Sequence, residues 1–119
     1  SRLRKNLAMA NLESRVNLHF GNAIDIIPNL EHNYDLIYMD ADKSQYPQYL
    51  KLLYPKLNKS GILLVDNVLW GGKMLNISEH KDKESKGIAA FLHQAIEYNW
   101  ASYGILPIAD GLWMGVRTV

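Results

Sequence analysis

Two stretches decide the fold: Tyr34-Asp35-Leu36-Ile37-Tyr38-Met39-Asp40-Ala41-Asp42-Lys43 and Gly61-Ile62-Leu63-Leu64-Val65-Asp66-Asn67-Val68-Leu69-Trp70-Gly71-Gly72. Each is an apolar run that stops abruptly at oxygen-bearing side chains. The runs from Leu36 to Met39 and from Ile62 to Val65 are continuous rather than alternating, a pattern that suits strands buried on both faces of a parallel sheet. Between them Tyr46, Tyr49, Leu50, Leu53 and Leu57 recur at helical spacing. Ser44 reads as the N-cap of that helix, Pro47 is tolerated in its first turn, and Lys59-Ser60-Gly61 reads as its stop.

Working outward, residues 3–12 read as a helix with Leu3, Leu7 and Ala10 on one face. Val16 to Phe20 is a short strand candidate. Gly21-Asn22 breaks it, and residues 23–30 suit a brief helix ending near Asn29. On the other side, residues 66–78 read as a loop containing Gly71-Gly72. Ile88, Phe91, Leu92, Ala95 and Ile96 then mark an amphipathic helix. Residues 103–108 and 112–118 read as strands, and Asp110-Gly111 between them predicts an antiparallel hairpin. There is no internal repeat, low-complexity tract or long linker. The pattern predicts a single α/β domain over residues 1–119, its sheet mostly parallel and closed by an antiparallel pair.

The composition narrows the function classes. The chain has 119 residues, 48% hydrophobic and 21% charged, with a formal net charge of +1. That balance argues against a dedicated nucleic-acid binder, whose surface is strongly basic, yet leaves a folded RNA open as a substrate. The absence of cysteine excludes disulfides, thiolate catalysis and zinc–thiolate sites, and makes a reducing cytosol the expected compartment. No apolar run approaches the ~20 residues that span a bilayer, so no membrane partner is expected.

In an open parallel sheet, ligands bind beyond the carboxyl ends of the strands. If the two central strands are neighbours, Asp40, Asp66 and Asn67 converge at one edge. Two carboxylates and an amide oxygen suit a hard cation that keeps some of its waters, such as Mg²⁺ or Ca²⁺. The competing reading is that each acid merely caps a helix or lies in a solvated turn. Lys43 is a surface lysine or, beside a metal, a general base. Asp42 is a cap or an acceptor for a cofactor amine. Gly21-Asn22-Ala23 is a bland turn on its own. Trp70, next to Gly71-Gly72, is either incidental to an exposed loop or the wall of a lid against a flat aromatic substrate. His19, His32, His80 and His93 match no metal or triad spacing.

The two stretches, with the ending Ile108-Ala109-Asp110-Gly111-Leu112, resemble the bacterial S-adenosylmethionine-dependent O-methyltransferases related to caffeoyl-CoA and catechol O-methyltransferases. The resemblance covers nearly the whole chain. It implies a Rossmann-like class I methyltransferase sheet, of which this chain supplies the third to seventh strands. It also implies that the helices, glycine-containing turn and ribose-binding strand that open the family do not precede Ser1, so an incomplete chain is expected, or one completed by exchange between subunits. By the same resemblance Asp40, Asp66 and Asn67 hold a divalent metal, Mg²⁺ or else Ca²⁺ or Mn²⁺. Gly21, Asn22, Ala23, Asp40 and Asp42 contact the cofactor, Asp42 at its methionine end and Gly21 to Ala23 at the adenine-side turn. Asn22 departs from the Asp common there. Lys43 is the base or helps hold the substrate oxygen. The implied reaction is methyl transfer to a hydroxyl of a small catechol-like substrate, in a homodimer. Two rivals stand beside it: methylation of a hydroxylated wobble uridine in tRNA, and a non-catalytic interaction module. A Mg²⁺-dependent phosphoryl transferase would want a glycine-rich phosphate loop with lysine, which is absent.

Overall fold

The computed structural model describes residues Ser1–Val119. Its helices are α1 (Arg2–Met9), α2 (Ala23–Ile26), α3 (Tyr46–Leu53) and α4 (Lys83–Ala95), and its strands are β1 (Tyr34–Met39), β2 (Leu57–Val65), β3 (Trp100–Leu106) and β4 (Leu112–Arg117). The four strands form one sheet in the order β1-β2-β4-β3. β1 and β2 are parallel, while β4 runs antiparallel to both β2 and β3. The sheet is thus mixed α/β and ends in the expected hairpin.

Register explains what this sheet does for a site. Tyr38 lies opposite Leu64 and Met39 opposite Val65, so Asp40 and Asp66 leave their strands at the same level. The Asp66 amide donates to the Met39 carbonyl at 3.0 Å, carrying the pairing one step past the strand ends. Because β4 is antiparallel to β2, with Val65 opposite Trp113, the turn that precedes β4 is delivered to the same edge.

The core lies on one face of the sheet. Met39, Leu63, Val65 and Trp113 pack under Tyr46, Tyr49 and Leu50 of α3 and Ile88, Phe91 and Ala95 of α4. Phe91 and Trp113 meet edge to face at 5.4 Å, and Tyr46 meets Phe91 at 5.8 Å, the geometry that aromatic quadrupoles favour. The opposite face carries Leu36, Tyr38, Ile62, Leu64, Met114 and Val116, which the register places side by side. Leu36 is 59% and Tyr38 56% exposed, and α1 buries no residue. The exposed area is 7895 Å², against about 6,600 Å² for a typical folded monomer of this mass.

Several expectations change. Val16 to Phe20 is not a strand: nothing pairs with it, and an isolated extended segment gains no ladder hydrogen bonds. The run from Leu36 to Met39 is not covered on both faces, because β1 is an edge strand with helices on one side only. The first helix stops at Met9, short of Leu12. Ser44 is not the cap of α3. The Asp42 side chain caps a 3-10 turn, Lys43–Gln45, and Gln45 precedes α3 with Pro47 in the first turn. That helix ends at Leu53, since Pro55 has no N–H to continue it, and Leu57 opens β2. Lys59-Ser60-Gly61 therefore lies within β2, where Ser60 has φ +63° and the pairing with β1 slips. Part of the loop from Asp66 to Ser78 winds into a 3-10 segment, Lys73–Glu79.

Candidate active site

The carboxyl ends of β1 and β2 assemble a cluster of charged and aromatic side chains. Lys43 is only 9% exposed. Its Nζ donates to Asp40 Oδ1 at 2.6 Å and to the Ala41 carbonyl at 2.9 Å. It stands 5.1 Å from the Tyr46 ring and 6.0 Å from the Trp70 ring. Burial works to pull the Lys43 ammonium toward neutrality, but the Asp40 carboxylate and the Tyr46 phenol outweigh it and hold its pKa above the ordinary lysine value. The pairing with Asp40 thus favours the ammonium form of Lys43.

Asp66 is held from three directions. Tyr38 donates its phenol to Asp66 Oδ2. The Asn67 backbone N–H donates to Asp66 Oδ1 at 2.8 Å, and the buried Tyr46 phenol donates to the Asp66 carbonyl at 2.8 Å. The Tyr38 phenol is pushed up to about 12, first by that hydrogen bond, then by burial and by the negative charges of Asp66 and Asp40. Both carboxylates act on Tyr38 and on Tyr46, which places them in one electrostatic neighbourhood.

Asn67 has φ +62°, a left-handed conformation that asparagine tolerates better than most residues. Its Nδ2 donates to Asp110 Oδ2 at 3.1 Å. Asp110 Oδ1 accepts from the Gly71 amide at 2.7 Å. Two further bonds, Leu69 N to the Asp110 carbonyl and Val68 N to the Gly111 carbonyl, join the hairpin turn to the loop after β2. Gly111 is required there: its φ is +81°, and a Cβ would lie 2.5 Å from Leu69 Cγ. Trp70, φ +50°, is half-buried against the core and turned toward Lys43.

The remaining expected residues are less engaged. Asp42 Oδ1 accepts from Ser44 N at 3.0 Å and Ser44 Oγ at 2.7 Å, which lowers its pKa; the carboxylate is exposed, and Oδ2 is left for a ligand. Asn22 caps α2, its Oδ1 accepting from Ile24 N at 3.1 Å. Gly21, φ +134°, and Ala23 flank that cap, and no hydrogen bond joins these three residues to the Asp40–Lys43 turn. The largest cleft, about 840 Å³, is lined by Arg4, Arg15, His19, Glu31 and Tyr34 among others; Tyr34 opens β1, so the cleft lies at the strand's other end.

Tyr38, Tyr46 and Asp110 were not singled out from the sequence. In the sequence Tyr38 belongs to an apolar run, Tyr46 to a helical stripe and Asp110 to a turn. The available signal was positional. Tyr38 lies on the strand two residues before Asp40, and an antiparallel final strand necessarily brings its leading turn to the end of β2.

Known proteins share this sequence pattern and fold. The O-methyltransferase family profile matches residues 3–118. The chain belongs to the O-methyltransferase family. It is 29% identical over 110 residues to a probable caffeoyl-CoA O-methyltransferase 2 of Dictyostelium discoideum, covering 88% of this chain and 48% of that protein. It is 40% identical over 77 residues to a catechol O-methyltransferase of Niastella koreensis, covering 60% of this chain and 34% of the relative. Among solved structures, an O-methyltransferase from Bacillus cereus in complex with SAH superposes with a TM-score of 0.86 at 25% identity, covering 97% of this chain and 56% of that one. The chain spans about half the length of such relatives.

Proposed function

We propose that these residues form the metal- and acceptor-binding half of an S-adenosylmethionine-dependent, divalent-metal-dependent O-methyltransferase acting on a hydroxyl of a small catechol-like substrate. The observation that carries the reading is the convergence of Asp40, Asp66, Asn67, Lys43 and Trp70 at the carboxyl ends of two adjacent parallel strands. Membership of the O-methyltransferase family and the names of the caffeoyl-CoA and catechol relatives support it.

The donor set fits a hard divalent cation. Asp40 and Asp66 supply anionic oxygens and Asn67 a neutral one, the chain has no cysteine, and no histidine joins them in a cluster of three such ligands, so nothing favours a softer metal. Asp40 Oδ2 and Asn67 Oδ1 accept no hydrogen bond from the protein, so ligand capacity remains. Such an ion, when bound, supplies positive charge that lowers the pKa of a nearby hydroxyl. S-adenosylmethionine, when bound, supplies a methyl group on a good leaving sulfur. Asp42 would hold the cofactor's amine, and Lys43 would stand beside the acceptor oxygen as its proton left to solvent or a base.

The chain's own task is then positioning. Lys43 as an ammonium attracts and orients the acceptor oxygen; acting as base would first require losing its proton against the pull of Asp40. Trp70 gives an aromatic wall beside Lys43, and exposed Asp42 offers Oδ2 to a cofactor amine. A methyl-transfer assay with labelled cofactor and a catechol, on the protein containing these residues at full length, tests the reading. Product formed with Mg²⁺, lost with a chelator and lost in Asp66→Ala is the expected result. Turnover indifferent to both would overturn the metal assignment, and methylation of tRNA but not of catechols would overturn the substrate.

A further inference from the structure

Asp110 sits in the hairpin turn, far in sequence from the β1 and β2 ends, yet its carboxylate grips both halves of the site. One oxygen, Oδ2, accepts from Asn67 Nδ2 at 3.1 Å; the other, Oδ1, accepts from Gly71 N at 2.7 Å. An ionised carboxylate only accepts. It therefore selects the orientation of the Asn67 amide, drawing the NH₂ toward itself and leaving Oδ1 on the other side. The same group fixes the backbone one residue beyond Trp70. The turn cannot drift from this position, because Leu69 N and Val68 N bond to the Asp110 and Gly111 carbonyls and Gly111 is packed against Leu69.

We infer that Asp110 is a positioning residue that presents the Asn67 amide oxygen to a divalent cation while latching the Trp70–Gly72 loop beside it. This rests on the metal-binding reading above. The two roles separate by chemistry. In Asp110→Asn, the oxygen of the new amide still accepts from Gly71 N, so the latch survives. Its NH₂ now faces the Asn67 NH₂, two donors in opposition, and the relief is a flip of Asn67 that turns its oxygen toward residue 110 and its nitrogen toward the cation. In Asn67→Asp combined with Asp110→Asn, the carboxylate at position 67 accepts from the new NH₂ and keeps an oxygen for the cation.

The experiment is Mn²⁺ binding followed by electron paramagnetic resonance, alongside Trp fluorescence and thermal melting, for the wild-type chain, Asp110→Asn and the double swap. Expected are an affinity about 10- to 100-fold weaker in Asp110→Asn, the range for partners that orient metal ligands, with melting and fluorescence unchanged, and recovery in the swap. Equal affinity in Asp110→Asn overturns the inference alone. Affinity and melting temperature falling together, with no recovery in the swap, also overturns it, since that marks a structural residue. Absence of Mn²⁺ binding by the wild type overturns the metal reading and the inference with it.

Discussion

Gly87→Ala sets two ordinary effects against each other, and the geometry decides between them. Gly87 is inside α4, where alanine is the better helix former by about 1 kcal/mol. On propensity alone the variant should be more stable. Yet a Cβ there would lie 2.1 Å from the Lys43 carbonyl oxygen, 2.7 Å from Ser44 Cα and 2.9 Å from the Lys43 carbonyl carbon. All three are backbone atoms and cannot swing aside. Restoring a normal carbon–oxygen approach of ~3.3 Å moves α4 away by roughly 1.2 Å. Ser85, Ile88 and Phe91 are wholly buried on that helix, and gaps of this size forfeit a large part of their dispersion contacts. Overpacking costs about 1–3 kcal/mol, and the unyielding neighbour argues for the upper end. Offset by the propensity gain, the net loss is about 2 kcal/mol, or roughly 8 °C in melting temperature. Urea denaturation followed by circular dichroism measures it, with exposed Lys86→Ala reporting propensity alone. A Gly87→Ala chain as stable as the wild type would show that α4 does not bear on the Lys43 turn, and would refute the close approach.

Other perturbations probe the same assembly. The Tyr38 phenol, raised to about 12, favours the folded state while protonated; its contribution is whole below the ordinary tyrosine value of about 10 and disappears as pH climbs through about 12. Absorbance titration of wild type minus Tyr38→Phe should show that late phenolate, and a difference centred at the ordinary value would remove the Asp66 bond from the account. Arg117 donates to the Tyr54 and Leu57 carbonyls and lies 4.6 Å over the Tyr54 ring, so Arg117→Ala should cost about 2–3 kcal/mol by chemical denaturation, with Arg117→Lys recovering only part. Gly111→Ala, strained by its positive φ and by Leu69, should alter Trp fluorescence as the hairpin turn leaves the Trp70 loop; an unchanged spectrum with unchanged stability counts against the docking of that turn.

Much of the architecture was legible because local signals agreed. The run from Tyr34 to Met39 became β1 with those bounds, and Ile88, Phe91 and Ala95 form the buried stripe of α4. Asp110-Gly111 turns the chain between two antiparallel strands, as its residue types demand. Two of the signals depend on neighbours. A continuous apolar run signals two covered faces only when both coverings exist, and Val16 to Phe20 signals a strand only beside a partner. At the site, the residues at the strand ends were readable because any parallel pair delivers its carboxyl ends to one edge. Asp110 and Tyr46 were not, since their roles depend on how a distant turn and a helix dock there. The partner of Lys43 lay beyond the sequence as well: its 2.6 Å pairing with Asp40 favours the ammonium while that carboxylate is its neighbour.

The sheet with helices on one side gives the molecule two unlike surfaces. One carries α3 and α4; the other carries Leu36 and Tyr38 in the open, with Ile62, Leu64, Met114 and Val116 half-buried beside them. A body built this way has a direction as well as a shape. At an oily resin, a dye such as anilinonaphthalene sulfonate or an air–water boundary it should not tumble indifferently but settle with the bare strands inward. Tyr38, exposed on that side and hydrogen-bonded to Asp66, would then be the point where such a contact reaches the strand ends.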